Sequence, residues 1–113
     1  MLAQLKELNN IADWEKALAH STTRPVFVFK HSTSCPISAN AYQEYQSYLN
    51  DANTAVDYIL VKVIESREVS NKIADDLGVK HESPQAILVK DKQPVWHTSH
   101  QAITQESIRE ATS

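Results

Sequence analysis

The sequence predicts a single α/β domain built on a mixed central sheet, with parallel strands plus a C-terminal antiparallel hairpin, flanked by helices. Three observations carry this. Short runs rich in β-branched and aromatic residues, at 25–31, 58–64 and 85–90, alternate with longer segments whose apolar residues recur every three or four positions. The third run is followed, after the polar turn Asp91-Lys92-Gln93, by another extended stretch from Pro94 to about Ser99. Parallel neighbours need a crossover helix whereas a hairpin needs only a turn, so this order calls for both kinds of pairing in one sheet.

Each element has a local reason. A short strand around Gln4 to Leu8 is followed by Asn10, which with Asp13 three residues on has the form of a helix cap. Ile11, Trp14 and Leu18 then share one face, giving a helix over about 10–20. Pro25 can start a strand because its missing N–H lies outside the ladder, and Val26 to His31 reads as a buried central strand. Pro36 suits the first helical position, and Ile37, Ala41, Tyr45 and Tyr48/Leu49 mark a helix over about 36–50. Tyr58 to Ile64 is a second buried strand. Ser66 opens a helix carrying Val69, Ile73 and Leu77, and Gly78 ends it. After the hairpin, Ile103 before Thr104, with Ile108 following, has the form of a cap with a hydrophobic staple, which starts a last helix over about 104–112.

At 113 residues the chain is one domain long, and neither a linker nor a repeat divides 1–113; Gly78 is its only glycine. An apolar share of 42% is too high for intrinsic disorder. The formal charge of −3, with no dense basic block, argues against a nucleic-acid partner. The first twenty residues carry Lys6, Glu7, Asp13, Glu15 and Lys16 and no long apolar run, so neither a signal peptide nor a membrane partner is expected, and the expected address is cytoplasmic. Cys35 is the single cysteine. One thiol can form neither an intrachain disulfide nor a multi-cysteine metal site, so any redox chemistry must be intermolecular.

Cys35 falls where the central strand gives way to a helix, with Ser34 before it and Pro36 after it. As the cap residue it meets the unpartnered amides and the positive dipole end of that helix, which favour a thiolate over a thiol. The N–H groups of Ile37 and Ser38 are expected to bond the sulfur, with the Ser38 hydroxyl as a further donor, lowering its pKa below about 8.5. Near pH 7.4 a drop to about 6.5 gives roughly twelve-fold more thiolate but about eight-fold less intrinsic nucleophilicity, so attack barely gains. The benefit lies in the return step, where a low-pKa thiol leaves faster. Lys30 and His31 are candidate sources of positive charge, although strand alternation lets at most one of them face the sulfur.

The element order matches the thioredoxin fold, and the run Phe29-Lys-His-Ser-Thr-Ser-Cys-Pro-Ile-Ser38 resembles the active-site signature of the monothiol bacilliredoxins, proteins of the bacillithiol system. The likeness covers nearly the whole chain. Monothiol glutaredoxins share the Cys-x-x-Ser core, whereas Lys-His-Ser-Thr before it and Ile37 after the proline sharpen the match. The resemblance implies a thioredoxin-like domain that exchanges thiols with disulfides through Cys35, uses bacillithiol as co-substrate, binds no other cofactor, and acts on S-thiolated cytosolic proteins. Where thioredoxins have a resolving cysteine this chain has Ser38, which rules out a dithiol cycle. The resemblance also places Ser83-Pro84 opposite the cysteine with a cis peptide bond, where the Ser83 backbone pairs with an extended substrate.

Two alternatives stand beside this reading: a monothiol glutaredoxin-like protein using glutathione, and a redox sensor or interaction module capped at Cys35 without turnover. An iron–sulfur role fits poorly, since no Gly-Phe follows the cysteine as it does in cluster-binding relatives. His97 and His100 make no metal site, because their spacing sends the rings to opposite faces of a strand. Trp14, Tyr42, Tyr45 and Tyr48 sit at helical spacings that core packing explains.

Overall fold

The computed structural model describes residues 5–113. Its elements run β1 (Leu5–Glu7), α1 (Ile11–His20), β2 (Val26–His31), α2 (Pro36–Leu49), β3 (Asp57–Lys62), α3 (Arg67–Leu77), β4 (Gln85–Lys90), β5 (Gln93–Ser99), a short 3-10 turn (His100–Ala102) and α4 (Gln105–Thr112). The expected first strand is present from Leu5; Gln4 lies outside the described residues.

The five strands form one sheet in the order β1-β3-β2-β4-β5. β1, β3 and β2 are parallel, while β2/β4 and β4/β5 are antiparallel. All six residues of β2 are buried, because helices cover both faces of the sheet there. Alternation divides the core in two. Phe27, Phe29, Tyr58, Leu60, Ala86 and Leu88 pack under α2 and α4 with Tyr45, Tyr48 and Ile108. Val26, Val28, Ile59, Val61, Ile87 and Val89 pack under α1 and α3 with Trp14, Val69 and Ile73.

Local chemistry sets the boundaries. The Asn10 side chain accepts from the N–H of Asp13 at 2.8 Å and starts α1. Gly78 ends α3 at φ 65°, a left-handed conformation that costs glycine no Cβ clash. The hairpin turns on Asp91 and Lys92, both at positive φ, which matches strand twist in a two-residue turn. Thr104 and Ser107 cap α4 reciprocally, with Ile103 and Ile108 buried beside them.

Two details differ from the sequence-based expectation. β3 stops at Lys62, and Ile64 is 50% exposed rather than buried in the strand. The reason is a turn: after Val63 donates to the His31 carbonyl at 2.9 Å, Ser66 donates back to the Lys62 carbonyl at 2.8 Å and draws the chain toward α3. Ser66 caps α3 by position alone, without a side-chain bond.

A buried polar knot holds the end of α2 to α4. The Tyr48 hydroxyl meets the Tyr58 hydroxyl at 2.7 Å and Thr112 Oγ1 at 2.6 Å, and it accepts from the Asn53 N–H at 3.3 Å. Tyr45, also buried, donates only one long bond, to the Ile59 carbonyl at 3.4 Å. Tyr48→Phe is therefore expected to lose about 1–3 kcal/mol in urea denaturation, because it strands several partners at once, and Tyr45→Phe less than about 1 kcal/mol. Equal losses would contradict this account of the knot.

Candidate active site

β2 ends at His31, and three residues later a turn delivers the chain to α2: the N–H of Cys35 donates to the Ser32 carbonyl at 3.3 Å. Cys35 is the N-cap of α2, with extended backbone at φ −107° and ψ 123°, and Pro36 takes the first helical position. The thiol is half-buried and unpaired. Ser34 and Pro36 beside it are exposed, as is Ile37, so the cysteine sits within a stretch of accessible residues.

The expected hydrogen bonds to the sulfur are not formed. Cys35 makes no side-chain cap bond, so the Ile37 and Ser38 amides do not bond the thiol. A protonated sulfur is a weak acceptor, and only charge on it makes such bonds strong. Nor does the Ser38 hydroxyl face the cysteine. It is fully buried, accepts from the Ser32 N–H at 2.9 Å and shares a hydrogen with His31 Nδ1 at 2.7 Å.

Strand alternation separates the two basic candidates. His31 lies on the α2 side, its ring stacked on Tyr42 with centroids 4.6 Å apart. Burial lowers its pKa; Lys62 adds to the drop, and Glu65 opposes it. Lys30 lies on the other face, fully buried, and its Nζ donates to the Ser70 carbonyl at 3.0 Å and meets His81 Nδ1 at 3.3 Å. Desolvation lowers its pKa from 10.5 to about 8. His81 is lowered as well, first by desolvation and then by the charges of Lys30 and Arg67.

The β2/β4 register brings in the remaining candidates. Lys30 pairs with Gln85, so Ser83 and Pro84, just before β4, stand at the same end of the sheet as His31 and the cysteine turn. The Ser83–Pro84 peptide bond is cis. Ser83 Oγ is buried without a partner among the described residues, which leaves the main chain as what Ser83 can offer a ligand. The Pro84 carbonyl accepts from the N–H of His100 at 3.0 Å.

Sequence reasoning missed four participants. Tyr42, assigned to packing, is the platform for the His31 ring. Glu65 accepts from Thr33 in the cysteine turn at 3.2 Å. His81 closes the Lys30 cluster, and His100 reaches the proline loop. Only the proximity of His81 to Ser83-Pro84 in the chain hinted at any of them, because the contacts join distant elements. Among the described residues no three or more His, Cys, Asp or Glu side chains are grouped to hold a metal ion. A cavity of about 360 Å³, lined by Leu8, Lys16, Val26 and Asp57 among others, sits where β2 and β3 begin, away from Cys35.

One lone thiol at the start of a helix, beside a cis-proline loop and with serine three residues on, is an arrangement for single-thiol exchange. Residues 6–108 match the family described as monothiol bacilliredoxin BrxC. The chain belongs to the monothiol bacilliredoxin family. This bacilliredoxin is similar to a solved protein with a thioredoxin fold, at 35% identity and a TM-score of 0.84 over 96% of this chain and 94% of that one. Thioredoxins share its fold at lower identity. That of Fasciola hepatica is 20% identical with a TM-score of 0.75, covering 95% of each chain. Thioredoxin NaTrxh of Nicotiana alata is 15% identical with a TM-score of 0.77, covering 98% of this chain and 91% of that one. Family and fold together give the bacilliredoxin a thiol–disulfide redox role.

The Lys30 site yields a pH signature. Between about pH 8 and 10.5 the unfolded chain keeps a proton on Lys30 that the folded chain releases, so wild-type stability is expected to rise with pH from about 8. Above about pH 10 the trend reverses, because burial holds the Tyr45 and Tyr58 phenols protonated in the fold alone. Lys30→Met is expected to be more stable at pH 7 by roughly 1–3 kcal/mol and to lack the rise between pH 8 and 10. Urea denaturation of the reduced proteins at pH 7, 8, 9 and 10 measures both, and parallel profiles would refute the assignment.

Proposed function

We propose that this protein removes bacillithiol from mixed disulfides on cytosolic proteins through Cys35. The observation that carries the reading is the placement of the only thiol: half-buried, at the N-cap of the fourteen-residue α2, with no second thiol to compete. The family match supports bacillithiol as the co-substrate, and no further cofactor is needed.

In the first step the Cys35 thiolate attacks the bacillithiol sulfur of the modified protein. That S–S bond breaks, a new one forms to Cys35, and the protein leaves as its thiolate. In the second step the thiolate of another bacillithiol attacks the bacillithiol sulfur on Cys35. Bacillithiol disulfide leaves and the Cys35 thiolate is restored, so sulfurs and electrons balance over the cycle. The amides of the first turn of α2 stabilise charge on Cys35 when it departs, which favours the second step. The Ser83 backbone, ahead of the β4 ladder, pairs with the incoming chain, and Pro84 holds that loop in place. Ser38, tied to Ser32 and His31, offers no second thiol to trap the intermediate.

The test uses one protein carrying a single cysteine, prepared in bacillithiolated and glutathionylated forms. With excess bacillithiol, wild type is expected to clear the bacillithiolated form over many turnovers and the glutathionylated form more slowly, followed by intact mass. Cys35→Ala is expected to lose all acceleration. Retained activity in that variant, or an equal or greater preference for the glutathionylated form, would overturn the proposal, and release limited to one equivalent would favour a sensor.

A further inference from the structure

One buried charge has no part in the exchange cycle. Lys30 is fully buried, and among the described residues no carboxylate pairs with its ammonium, which makes it costly to keep. Its Nζ spans two segments of the chain. It donates to the Ser70 carbonyl on α3 at 3.0 Å and meets Nδ1 of His81, in the loop before β4, at 3.3 Å. The Ser70 hydroxyl lies 3.3 Å from the same ring nitrogen.

That loop is otherwise lightly held. Gln85, the partner of Lys30 in the β2/β4 register, donates from Nε2 to the Lys80 carbonyl at 2.9 Å and closes the base of the loop. Above that base, the side chains of Glu82 and Ser83 make no hydrogen bond among the described residues, and Ser83 Oγ is buried unpaired. The His81 ring is therefore the side chain that ties the loop to the rest of the fold just ahead of the cis Ser83–Pro84 bond. A segment held by so few bonds moves when one of them is lost.

The bond between the two side chains has a direction. An ammonium has no lone pair, so Nζ donates and His81 Nδ1 accepts, which requires a neutral ring with its hydrogen on Nε2. The charges that face the ring are Lys30 on β2, Arg67 at the start of α3 and Glu82 beside it in the loop; burial and the two cations favour the neutral form, and Glu82 opposes them. His81 is an exposed residue, so protons reach it from solvent. A proton on Nδ1 turns the acceptor into a donor and sets a second positive charge 3.3 Å from Nζ. We propose that His81, seated on Lys30, is a positioning residue that holds the Ser83–Pro84 loop in the pose that pairs with the main chain of a protein disulfide, and that a proton on its ring releases the loop. The inference rests on the exchange reading above and adds a condition to it: disulfides carried on an extended chain are favoured over small ones only while His81 is neutral.

The test compares two disulfides that differ in having a main chain. One is an uncharged extended peptide whose cysteine is joined to mercaptoethanol; the other is hydroxyethyl disulfide, which has no peptide group to pair with Ser83. With either, the Cys35 thiolate attacks one sulfur, one S–S bond breaks as another forms, and the displaced thiolate leaves, so the loss of free Cys35 by intact mass gives the rate. Dividing the peptide rate by the small-disulfide rate cancels the ionisation of Cys35 itself. In wild type this ratio is expected to fall about three- to ten-fold between about pH 7.5 and about pH 5, the worth of one hydrogen bond. The midpoint is expected below 6.5, the ordinary histidine value. His81→Asn, whose Oδ1 stands where Nδ1 stands and takes no proton, is expected to keep the high ratio throughout, and His81→Phe, which has no acceptor, to show the low ratio throughout. Lys30→Met, the more stable protein at pH 7 by the account above, is expected to share the low ratio, which a role in stability alone does not produce.

A wild-type ratio that does not change with pH, or His81→Asn behaving like His81→Phe, would overturn the proposal while leaving thiol exchange at Cys35 intact. A wild-type ratio in Lys30→Met at neutral pH would overturn it equally. Failure of Cys35 to react with either disulfide would refute the exchange reading itself, and the positioning role with it.

Discussion

The hydroxyl of Ser38 ties the end of β2 to the start of α2. It accepts the Ser32 N–H, which has just left the sheet, and shares a hydrogen with His31, the last residue of the strand, while its own backbone belongs to the first turn of the helix. Three links thus close a turn of only a few residues, all in a region shielded from water, where an unmade bond costs more than a made one returns. The position of Cys35 depends on this closure. The cysteine has no side-chain bond of its own, so the strand and the helix on either side hold it at the N-cap. The same oxygen also explains the single-thiol character of the site. A sulfur at position 38 is larger and a weaker acceptor, and would loosen the clamp while supplying a second thiol.

Around that clamp the sheet sorts charge by parity. His31 and Phe29 face α2, where the imidazole is pressed between Tyr42 and the serine and is held toward its neutral form. Lys30, one residue earlier, is sent to the α3 side and buried with Ser70 and His81. Its ammonium has no carboxylate partner in that cluster, which is why burial rather than pairing dominates its behaviour. The lysine is therefore withdrawn from the reacting side of the strand, where Glu65 and Lys62 act on His31 with opposite signs and the dipole end of α2 meets the cysteine.

The proline loop connects this centre to the rest of the sheet edge. β4 aligns with β2 so that Ser83-Pro84 arrives beside the cysteine turn, and the Pro84 carbonyl passes the connection on to His100 at the end of β5. The chain segments that meet at the site come from four places in the sequence, and none is long. Exposed Ile37 and half-exposed Ile64 stand on the two flanks of the turn, the first on α2 and the second beyond β3.

Much of this was legible in advance. The alternation of apolar runs with helical periodicity, the Pro36 start, the Gly78 stop, the Thr104 cap and the hairpin turn are local features whose causes lie within a few residues, so the sequence by itself determined the elements, their order and the thiol at a helix start. It misjudged Ile64, whose apolar character continued a pattern that a backbone turn had already ended. It also gave Ser38 to the sulfur when a nearer claim came from His31 and Ser32. Only the tertiary structure decided which face received Lys30, that Tyr42 stacks on His31, that Tyr48 reaches Thr112, and that His100 closes on Pro84. The physical reason is range: helix and strand propensities act between neighbours along the chain, whereas these partners meet only after the sheet has chosen its strand order and register.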